Sequence, residues 1–428
     1  MKLWKVCGVY KLKPLFDFDI AIIGGGIIGY SIALSLQKTG KSVLIIDRKD
    51  HNSNASRKNA GAFAFADLLP LATPEVLQSA PKWLLDPNGP LYVHPAYIFS
   101  IFPWMMRFWQ ASWHHRFAQS LIAQATLMAL SREALERQVT ELNAEFLLHR
   151  KGQLRLYQHK AHFKKSAKFW SACEEYNVPY DLFNSPEQIA EVQSGLNDQF
   201  MHAGYTPNWI NVSDPDSWMQ HLEKSFVIRG GKQIKSNADG ISPKQENVII
   251  KMDGRELRAA FCVVAAGAWS KKLAFGIGDR IPLDTERGYN ITLQNTNFEL
   301  NTHLTFAEHG FVISNINQGI RVGGAVEFAG LTKAPNYHRA DALLKKAENF
   351  LPVLKTATIE NKWMGFRPSL PDSLPVIDHS ANSRRVIYAF GHGHLGLTQA
   401  AGTAEIVRDL ITGQSPKINV SAFSAKRF

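Results

Sequence analysis

The chain has 428 residues, 45% hydrophobic and 20% charged, which is typical of a folded globular protein with room for two or three domains. The formal charge of +11 is spread along the chain, which favours an anionic ligand or surface over nucleic acid. Cys7, Cys173 and Cys262 lie far apart, which argues against a disulfide framework or a zinc site and fits a reducing, cytoplasmic compartment. Residues 1–17 lack a signal-peptide pattern and are expected to form a short extension, and no apolar run is long enough to span a bilayer.

The first predicted elements are a buried strand at 18–23, a glycine-rich turn, a helix at 27–38 and a second buried strand at 42–47. A strand, a helix and a strand within about thirty residues form a βαβ unit. Parallel strands of this kind are normally covered on both faces, so this pattern predicts the start of an α/β domain.

The turn of this unit reads Gly24-Gly25-Gly26-Ile27-Ile28-Gly29 and contains the pattern G-x-G-x-x-G. The first glycine of the pattern permits the tight turn, the second lets the backbone approach a pyrophosphate, and the third allows close packing of helix and strand. Asp47 ends the second strand, where an acidic residue binds a ribose hydroxyl, although the neighbouring Arg48 leaves a 2′-phosphate as an alternative. The unit therefore predicts a dinucleotide-binding domain.

The later elements indicate a second domain that is inserted twice into the first. Helices are predicted at 96–145, 161–176, 215–228 (with Asp214 as its N-cap), 337–351 and 398–410, and strands at 150–157, 261–265, 281–293, 305–314, 319–327 and 386–390. The strands at 261–265 and 386–390 have the character of nucleotide-fold strands. We therefore expect a cofactor domain of residues 18–75, 213–282 and 360–428, and a substrate domain of residues 76–212 and 283–359.

Four further segments carry a family resemblance in addition to the glycine-rich unit. They are Asn59-Ala60-Gly61, Val263-Val-Ala-Ala-Gly267, Arg367-Pro-Ser-Leu-Pro-Asp-Ser-Leu-Pro375 and Gly391-His-Gly-His-Leu-Gly396. In this order they resemble the D-amino-acid dehydrogenase and glycine/sarcosine oxidase family of FAD-dependent oxidoreductases, and look closest to its D-amino-acid dehydrogenase-like branch. The resemblance runs from residue 18 to the end. It implies an α/β protein with a discontinuous Rossmann-like FAD-binding domain and an inserted α+β substrate domain built on a mixed sheet.

The resemblance also implies which residues hold the cofactor. Residues 55–61 contain no histidine and no cysteine follows Cys262, so we expect FAD to be bound non-covalently. The turn from Gly391 would face the side of the flavin where negative charge develops on reduction. We expect contacts from Gly24, Gly26, Ile27, Ile28, Gly29, Asp47, Arg48, Ser56, Asn59, Ala60, Gly61, Gly267, Gly391, His392, Gly393, His394, Leu395, Gly396 and Thr398. We expect no metal site, because His392 and His394 have no third ligand cluster beside them.

The same resemblance places a carboxylate-binding arginine at Arg367. A guanidinium can pair with an α-carboxylate through two hydrogen bonds and so orient the substrate, although a structural arginine in a proline-rich turn is the alternative. Arg287, Tyr289 and His394 are further candidates for the substrate pocket, and a core tyrosine is the alternative for Tyr289. His309 and Arg321 are weaker candidates.

The implied reaction is the oxidation of a small amino or imino acid, with hydride transfer from Cα to flavin N5 and hydrolysis of the resulting imine. D-amino acids, D-proline-type imino acids, glycine and sarcosine all remain open as substrates. The electrons would pass to a respiratory quinone or, as in oxidases, to O2. One alternative is a tRNA-modification oxidase, although no methyltransferase region is evident in the sequence. Another alternative is a subunit of a larger amine dehydrogenase.

One segment suggests peripheral contact with the inner face of the cytoplasmic membrane. Its aromatic and basic residues are Trp104, Arg107, Phe108, Trp109, Trp113, His114, His115 and Arg116. Such a segment can lie in the membrane interface. The alternative is that these aromatic side chains pack in the core or against a partner subunit or a second copy of the chain.

Overall fold

The computed structural model describes residues 16–48, 54–74, 91–296, 298–317 and 319–428. Most of the predicted N-terminal extension, and the start of the predicted substrate domain, therefore lie outside the described residues. The strands are β1 (Phe18–Ile23), β2 (Val43–Asp47), β3 (Ala62–Phe63), β4 (Leu91–Val93), β5 (Leu148–His149), β6 (Gln153–Tyr157), β7 (Asp181–Phe183), β8 (His202–Thr206), β9 (Ile210–Val212), β10 (Lys232–Lys235), β11 (Ala238–Pro243), β12 (Val248–Met252), β13 (Arg255–Val264), β14 (Asp284–Gln294), β15 (His303–Phe306), β16 (Phe311–Ile316), β17 (Gly319–Phe328), β18 (Thr358–Ser369), β19 (Val376–Ser380) and β20 (Ser383–Phe390).

The helices alternate with these strands in the first and last parts of the chain. They are α1 (Ile27–Gln37), α2 (Ala55–Lys58), α3 (Ile98–Ala111), α4 (His114–Leu142), α5 (Lys160–Lys165), α6 (Ala167–Glu175), α7 (Pro186–Val192), α8 (Pro215–Ile228), α9 (Ser270–Gly276), α10 (His338–Phe350) and α11 (Gly396–Thr412). Asp214 caps α8 as predicted, because its carboxylate accepts a hydrogen bond of 2.9 Å from the backbone N–H of Ser217.

The first sheet is built on the predicted βαβ unit. Strands β10, β2, β1, β13 and β20 run parallel, whereas β12 and β11 continue the sheet antiparallel beside the first half of β13, and β19 pairs with β20. Alternate residues of β1 enter different cores: Ile20 and Ile22 pack with α1, α4 and α11, while Ala21 and Ile23 pack on the opposite face. Both faces are thus covered, as the apolar sequence of β1 predicts.

The second sheet is mixed. Its order is β18-β14-β17-β16-β15-β6-β8-β7, with parallel pairing between β15 and β6 and between β17 and β4. Helix α10 packs on one face through Ala340, Leu343 and Ala347. The small sheet β3-β9-β5 contains strands from both predicted domains.

Two local predictions need correction. The predicted strand 305–314 is wrong: it is a hairpin of β15 and β16, because residues 307–310 turn and Gly310 takes a φ of +67°. The alternative of a proline-rich turn at Arg367 is also wrong, because Arg367 lies near the end of β18, which pairs with β14. The predicted domain boundaries stay a prediction, and we propose moving the one at 360 beyond Ser369.

Gly29 offers a test of the packing between α1 and β1. A Cβ at this position would lie 1.9 Å from the carbonyl oxygen of Gly24, so Gly29→Ala must push the helix away from the turn. We expect urea unfolding to show a free energy of unfolding lowered by about 1–3 kcal/mol. Gly276→Ala, at the open end of α9, is the control and should not lower it. Equal stability of the two variants would contradict this packing.

Candidate active site

A continuous cavity of about 1780 Å³ runs from the turn Gly24–Gly26 to the second sheet. Pockets for drug-sized ligands are typically about 300–1,000 Å³, so this one has room for a large ligand and a small one together. One end is lined by the glycine-rich turn and Asp47, and the other by side chains of β14, β17 and β18.

The glycine-rich turn forms a cradle at the first end of the cavity. Gly24 has a φ of +117°, and a Cβ there would lie 2.2 Å from the carbonyl oxygen of Ala265. Helix α1 begins at this turn without a side-chain cap from Gly26, and the backbone N–H of Ile27 donates to Oγ of Ser56 at 2.9 Å. The N-terminus of α1 therefore presents its positive dipole end and the backbone N–H groups that follow Ile27 to the cavity, which suits a phosphate.

Asp47, the last residue of β2, and Arg48, which follows it, lie at the same end of the cavity. The guanidinium carbon of Arg48 lies 3.5 Å from the ring centroid of Trp269, a cation–π contact, and all three residues line the cavity. Gly267, with a φ of +54°, lines it beside them.

The segment Asn54–Gly61 lines the cavity and is held by hydrogen bonds from strands of the second sheet. Asn290 donates to the carbonyl of Lys58 at 2.6 Å, and Arg321 donates to the carbonyl of Asn59 at 2.6 Å. Burial lowers the pKa of the Arg321 guanidinium. Arg321 therefore positions the segment that carries Ala60, whereas His309 does not line the cavity and instead contacts Gln158.

The turn from Gly391 to Gly396 joins the two sheets at the cavity. The backbone N–H of Gly393 donates to the carbonyl of Pro368 on β18 at 2.8 Å, with φ values of +88° at Gly391 and +55° at Gly393. Helix α11 then begins at Gly396 without a side-chain cap, so its backbone N–H groups also face the cavity.

Hydrogen bonds of His392, which lines the cavity, and of Thr398, which lies behind the wall, stabilise this region. Nε2 of His392 lies 2.9 Å from Oγ1 of Thr403, and burial lowers the pKa of His392 to about 3, so its imidazole is neutral. Oγ1 of Thr398 accepts the backbone N–H of Ala64 at 2.9 Å. Among the described residues no group of three or more His, Cys, Asp or Glu side chains that could hold a metal ion occurs.

Arg367 lies at the second end of the cavity, directly opposite Glu286 on the neighbouring strand. Burial lowers the pKa of its guanidinium, and the charge of Glu286 opposes that shift. A Cβ on Gly288 would lie 2.4 Å from a guanidinium nitrogen of Arg367, so the side chain occupies the space that this glycine leaves. Strand β17 bulges beside it, with Ala325 at a φ of +54° and its carbonyl 3.4 Å from Nη1 of Arg367.

His394 lines the same cavity as Arg367, and the two side chains are near enough for their charges to interact. Its side chain is exposed to the cavity, yet it lies deep in the protein, and burial lowers its pKa; Asp67 opposes the shift and Arg367 adds to it. The imidazole is therefore largely neutral at neutral pH. The structure thus brings the predicted residues Arg367 and His394 together.

The side chains of Arg287 and Tyr289 are engaged inside the protein and are not grouped with Arg367 and His394. The guanidinium of Arg287 is fully buried outside the cavity and donates to the carbonyls of Ala329, Gly330, Lys333 and Ala334. The hydroxyl of Tyr289 donates to Glu327 and accepts the backbone N–H of Asn336, and burial with the neighbouring carboxylate raises its pKa to about 12. Both side chains hold the loop 329–336, although Tyr289 also borders the cavity.

Sequence reasoning missed several residues that line the same end. The carboxylate of Asp67 pairs with Arg155 at 3.0 Å, and His303, whose pKa burial lowers to about 3, contacts Asn211 at 3.2 Å. These residues come from strands or turns without a recognisable motif, so only the folded arrangement reveals them.

The fold and the cavity define a class: a dinucleotide-binding α/β protein whose ligand reaches from a glycine-rich turn to an inserted mixed sheet. The chain belongs to the DAO family of FAD-dependent oxidoreductases, because the family model matches residues 19–410. The predicted family, fold class and enzyme class are confirmed by this match and by the fold comparison that follows.

Three relatives illustrate the family. The chain is 29% identical to a D-amino-acid oxidase of Bradyrhizobium diazoefficiens over 96% of this chain and 98% of the relative. It is 25% identical to a D-amino acid dehydrogenase of the same organism, with the same shares covered. The crystal structure of glycine oxidase from Geobacillus kaustophilus has the same fold, with a TM-score of 0.75, 20% identity and 96% and 99% of the two chains covered.

The residues of the cavity fit the FAD that the family requires. A bulkier residue than glycine would clash at Gly24 and Gly29, while two helices begin at the cavity without side-chain caps. Of the residues predicted to bind the cofactor, Gly29, Gly61, Gly391, Leu395 and Thr398 do not line the cavity, but lie behind those that do.

Tyr289→Phe tests the reassignment of this tyrosine. The change leaves Glu327 and the Asn336 N–H without their partner, so we expect urea unfolding to show a loss of about 1–3 kcal/mol. The kcat/KM should stay within about threefold of the wild type, since the hydroxyl is engaged inside the protein. Tyr92→Phe, at a half-buried ring, is the control and should change neither quantity. Unchanged stability with a tenfold loss of kcat/KM would place the hydroxyl at the substrate instead.

Proposed function

We propose that the enzyme oxidises the primary or secondary α-amine of a small amino or imino acid of the D-amino-acid or D-proline type to the corresponding imine. The proposal rests on the position of the Arg367 guanidinium, which lines the cavity together with His394. Glu286 lies opposite Arg367 on the neighbouring strand, and its negative charge favours the charged guanidinium. A guanidinium in this setting matches a substrate carboxylate through two parallel hydrogen bonds. Relatives named D-amino-acid oxidase and D-amino acid dehydrogenase support the substrate class.

The residues of the cavity divide into two roles in this proposal. Bound FAD would supply the oxidant, accepting the hydride from Cα at N5 of the flavin. Arg367 holds the carboxylate, so that Cα is oriented toward the middle of the cavity. Neutral His394 adds no second cation beside Arg367, and it is able to accept or donate one hydrogen bond to the substrate amine.

The cofactor is held without a covalent bond in this proposal. The described segment 54–61 has no histidine or cysteine, and Cys173 and Cys262 are both buried in apolar cores. Gly24, Gly26 and the N-terminus of α1 bind the pyrophosphate, Asp47 binds a ribose hydroxyl, and Ala60 with the turn at Gly393 contacts the flavin ring.

The electron acceptor in this proposal is a quinone. O2 is the alternative, since relatives named oxidase and dehydrogenase are both similar to the chain over nearly its whole length.

Anaerobic bleaching of the flavin tests the proposal. The holoenzyme is mixed with D-amino acids, D-proline and its hydroxylated forms, glycine and sarcosine, and the loss of flavin absorbance is followed. We expect one or more of the D-amino or D-imino acids to bleach it fastest. If none bleaches a fully flavinated protein, amine oxidation is the wrong reaction.

Two variants locate the carboxylate site in the same assay. Arg367→Ala should lower kcat/KM, and the decrease should correspond to a loss of about 2–5 kcal/mol of transition-state stabilisation, because the substrate carboxylate loses its charged partner. Gly288→Ala keeps the arginine but displaces it, and we expect a loss of about 10- to 100-fold. Gly240→Ala, where the added methyl group meets open space, is the matched control. An Arg367→Ala variant within threefold of the wild type would remove Arg367 from this role.

A further inference from the structure

Helix α3 carries an apolar face that nothing in the described part of the chain covers. The exposed side chains are Phe99 (90% exposed), Phe102 (57%), Met106 (39%), Trp109 (43%) and Trp113 (41%), the last at the junction with α4. Their spacing of three and four residues places them on one side of the helix. The opposite side packs inward through Ile101 and Trp104 against Phe328 of β17. The inward-facing side and the solvent-facing side of this helix are therefore both apolar.

The charges around this face are all of one sign along the chain. Residues 91–132 contain no aspartate and no glutamate, while Arg107, His114, His115 and Arg116 follow the apolar positions and are exposed. The guanidinium of Arg116 lies 5.8 Å from the ring of Trp113. Cations beside exposed tryptophan and phenylalanine complement an anionic lipid surface, where aromatic rings sit at the level of the headgroups. A second copy of this same segment would instead bring like charges together.

The same helix borders the cavity. Ser100, Pro103 and Arg107 line it and are exposed, as are Leu331 and Thr332 in the loop that Arg287 holds. Tyr97 packs on Gly330 of that loop, and its hydroxyl donates to Asp284 at 2.9 Å. A surface that binds α3 therefore lies next to one rim of the cavity.

We infer that the α3 face, defined as Phe99, Phe102, Met106, Trp109 and Trp113, docks the enzyme on an anionic lipid bilayer. The aromatic side chains enter the headgroup region, while Arg107 and Arg116 contact lipid phosphates. Helix α3 lies in the plane of the interface and does not cross it; in the described part of the chain no helix is long and apolar enough to do so. The docking itself does not depend on the proposed function. Its purpose does rest on that function: docking brings a lipid-dissolved two-electron acceptor to the rim of the cavity.

Co-sedimentation of the flavinated holoenzyme with vesicles tests the docking. We expect binding to phosphatidylcholine vesicles that contain phosphatidylglycerol, much weaker binding to phosphatidylcholine alone, and a decrease as salt rises. The double variant Phe99→Glu with Phe102→Glu should bind at least about tenfold more weakly, because it places carboxylates on the face. Phe146→Glu is the matched control: Phe146 is 70% exposed at the far end of α4, about 40 Å from Trp113 along the helix.

The outcomes separate docking from catalysis. Flavin bleaching in vesicle-free solution should be the same in the wild type and the double variant, and loss of bleaching with intact vesicle binding would count against the proposed function alone. Wild-type protein that bleaches but does not bind anionic vesicles overturns the docking alone. A dimer in analytical ultracentrifugation that the double variant dissociates, without vesicle binding, would assign the face to a second copy and also overturn it.

Discussion

The relation between the two ends of the cavity depends on a hydrogen bond from the turn after the first sheet to the edge strand of the second: the backbone N–H of Gly393 donates to the carbonyl of Pro368 at 2.8 Å. Gly393 follows the last strand of the first sheet, and Pro368 lies next to Arg367 at the end of β18 in the second. Proline has no N–H to donate, but its carbonyl remains free to accept this bond. The glycine turn that faces the cofactor and the arginine that faces the substrate are thereby held in a fixed relation, which oriented hydride transfer requires.

The substrate end of the cavity is a balance of buried charges. Arg367 lies opposite Glu286, and Arg155 pairs with Asp67, while His303 and His394 have pKa values that burial lowers. Burying an unpaired ion is costly, so Arg367 and Arg155 each have a carboxylate nearby and the histidines remain neutral. An arriving carboxylate therefore meets one preorganised guanidinium, whose position the space above Gly288 fixes.

The nucleotide end could be predicted from the sequence because local rules govern it. Strand β1, the glycines of the turn and Asp47 act within about thirty residues, where periodicity and glycine conformation decide the structure. The substrate end could not be predicted in the same way. Arg287 and Arg367 both look like catalytic arginines in the sequence, and only the pairing of β14 with β17 and β18 shows that Arg287 binds four loop carbonyls instead. The hairpin at 307–310 was missed because β15 and β16 were read as one strand, although Glu308, His309 and Gly310 interrupt its apolar residues.

The central claim is that Arg367 recognises a substrate carboxylate in a cavity shared with FAD. The most direct measurement compares anaerobic flavin bleaching by the best amino-acid substrate and by its α-carboxamide, which has nearly the same shape and no charge. A buried charge-assisted pair contributes about 2 kcal/mol or more, so we predict at least about a 30-fold lower kcat/KM for the amide with the wild type. The Arg367→Ala variant should lose most of this discrimination. Equal rates for the acid and the amide with the wild type would contradict the account.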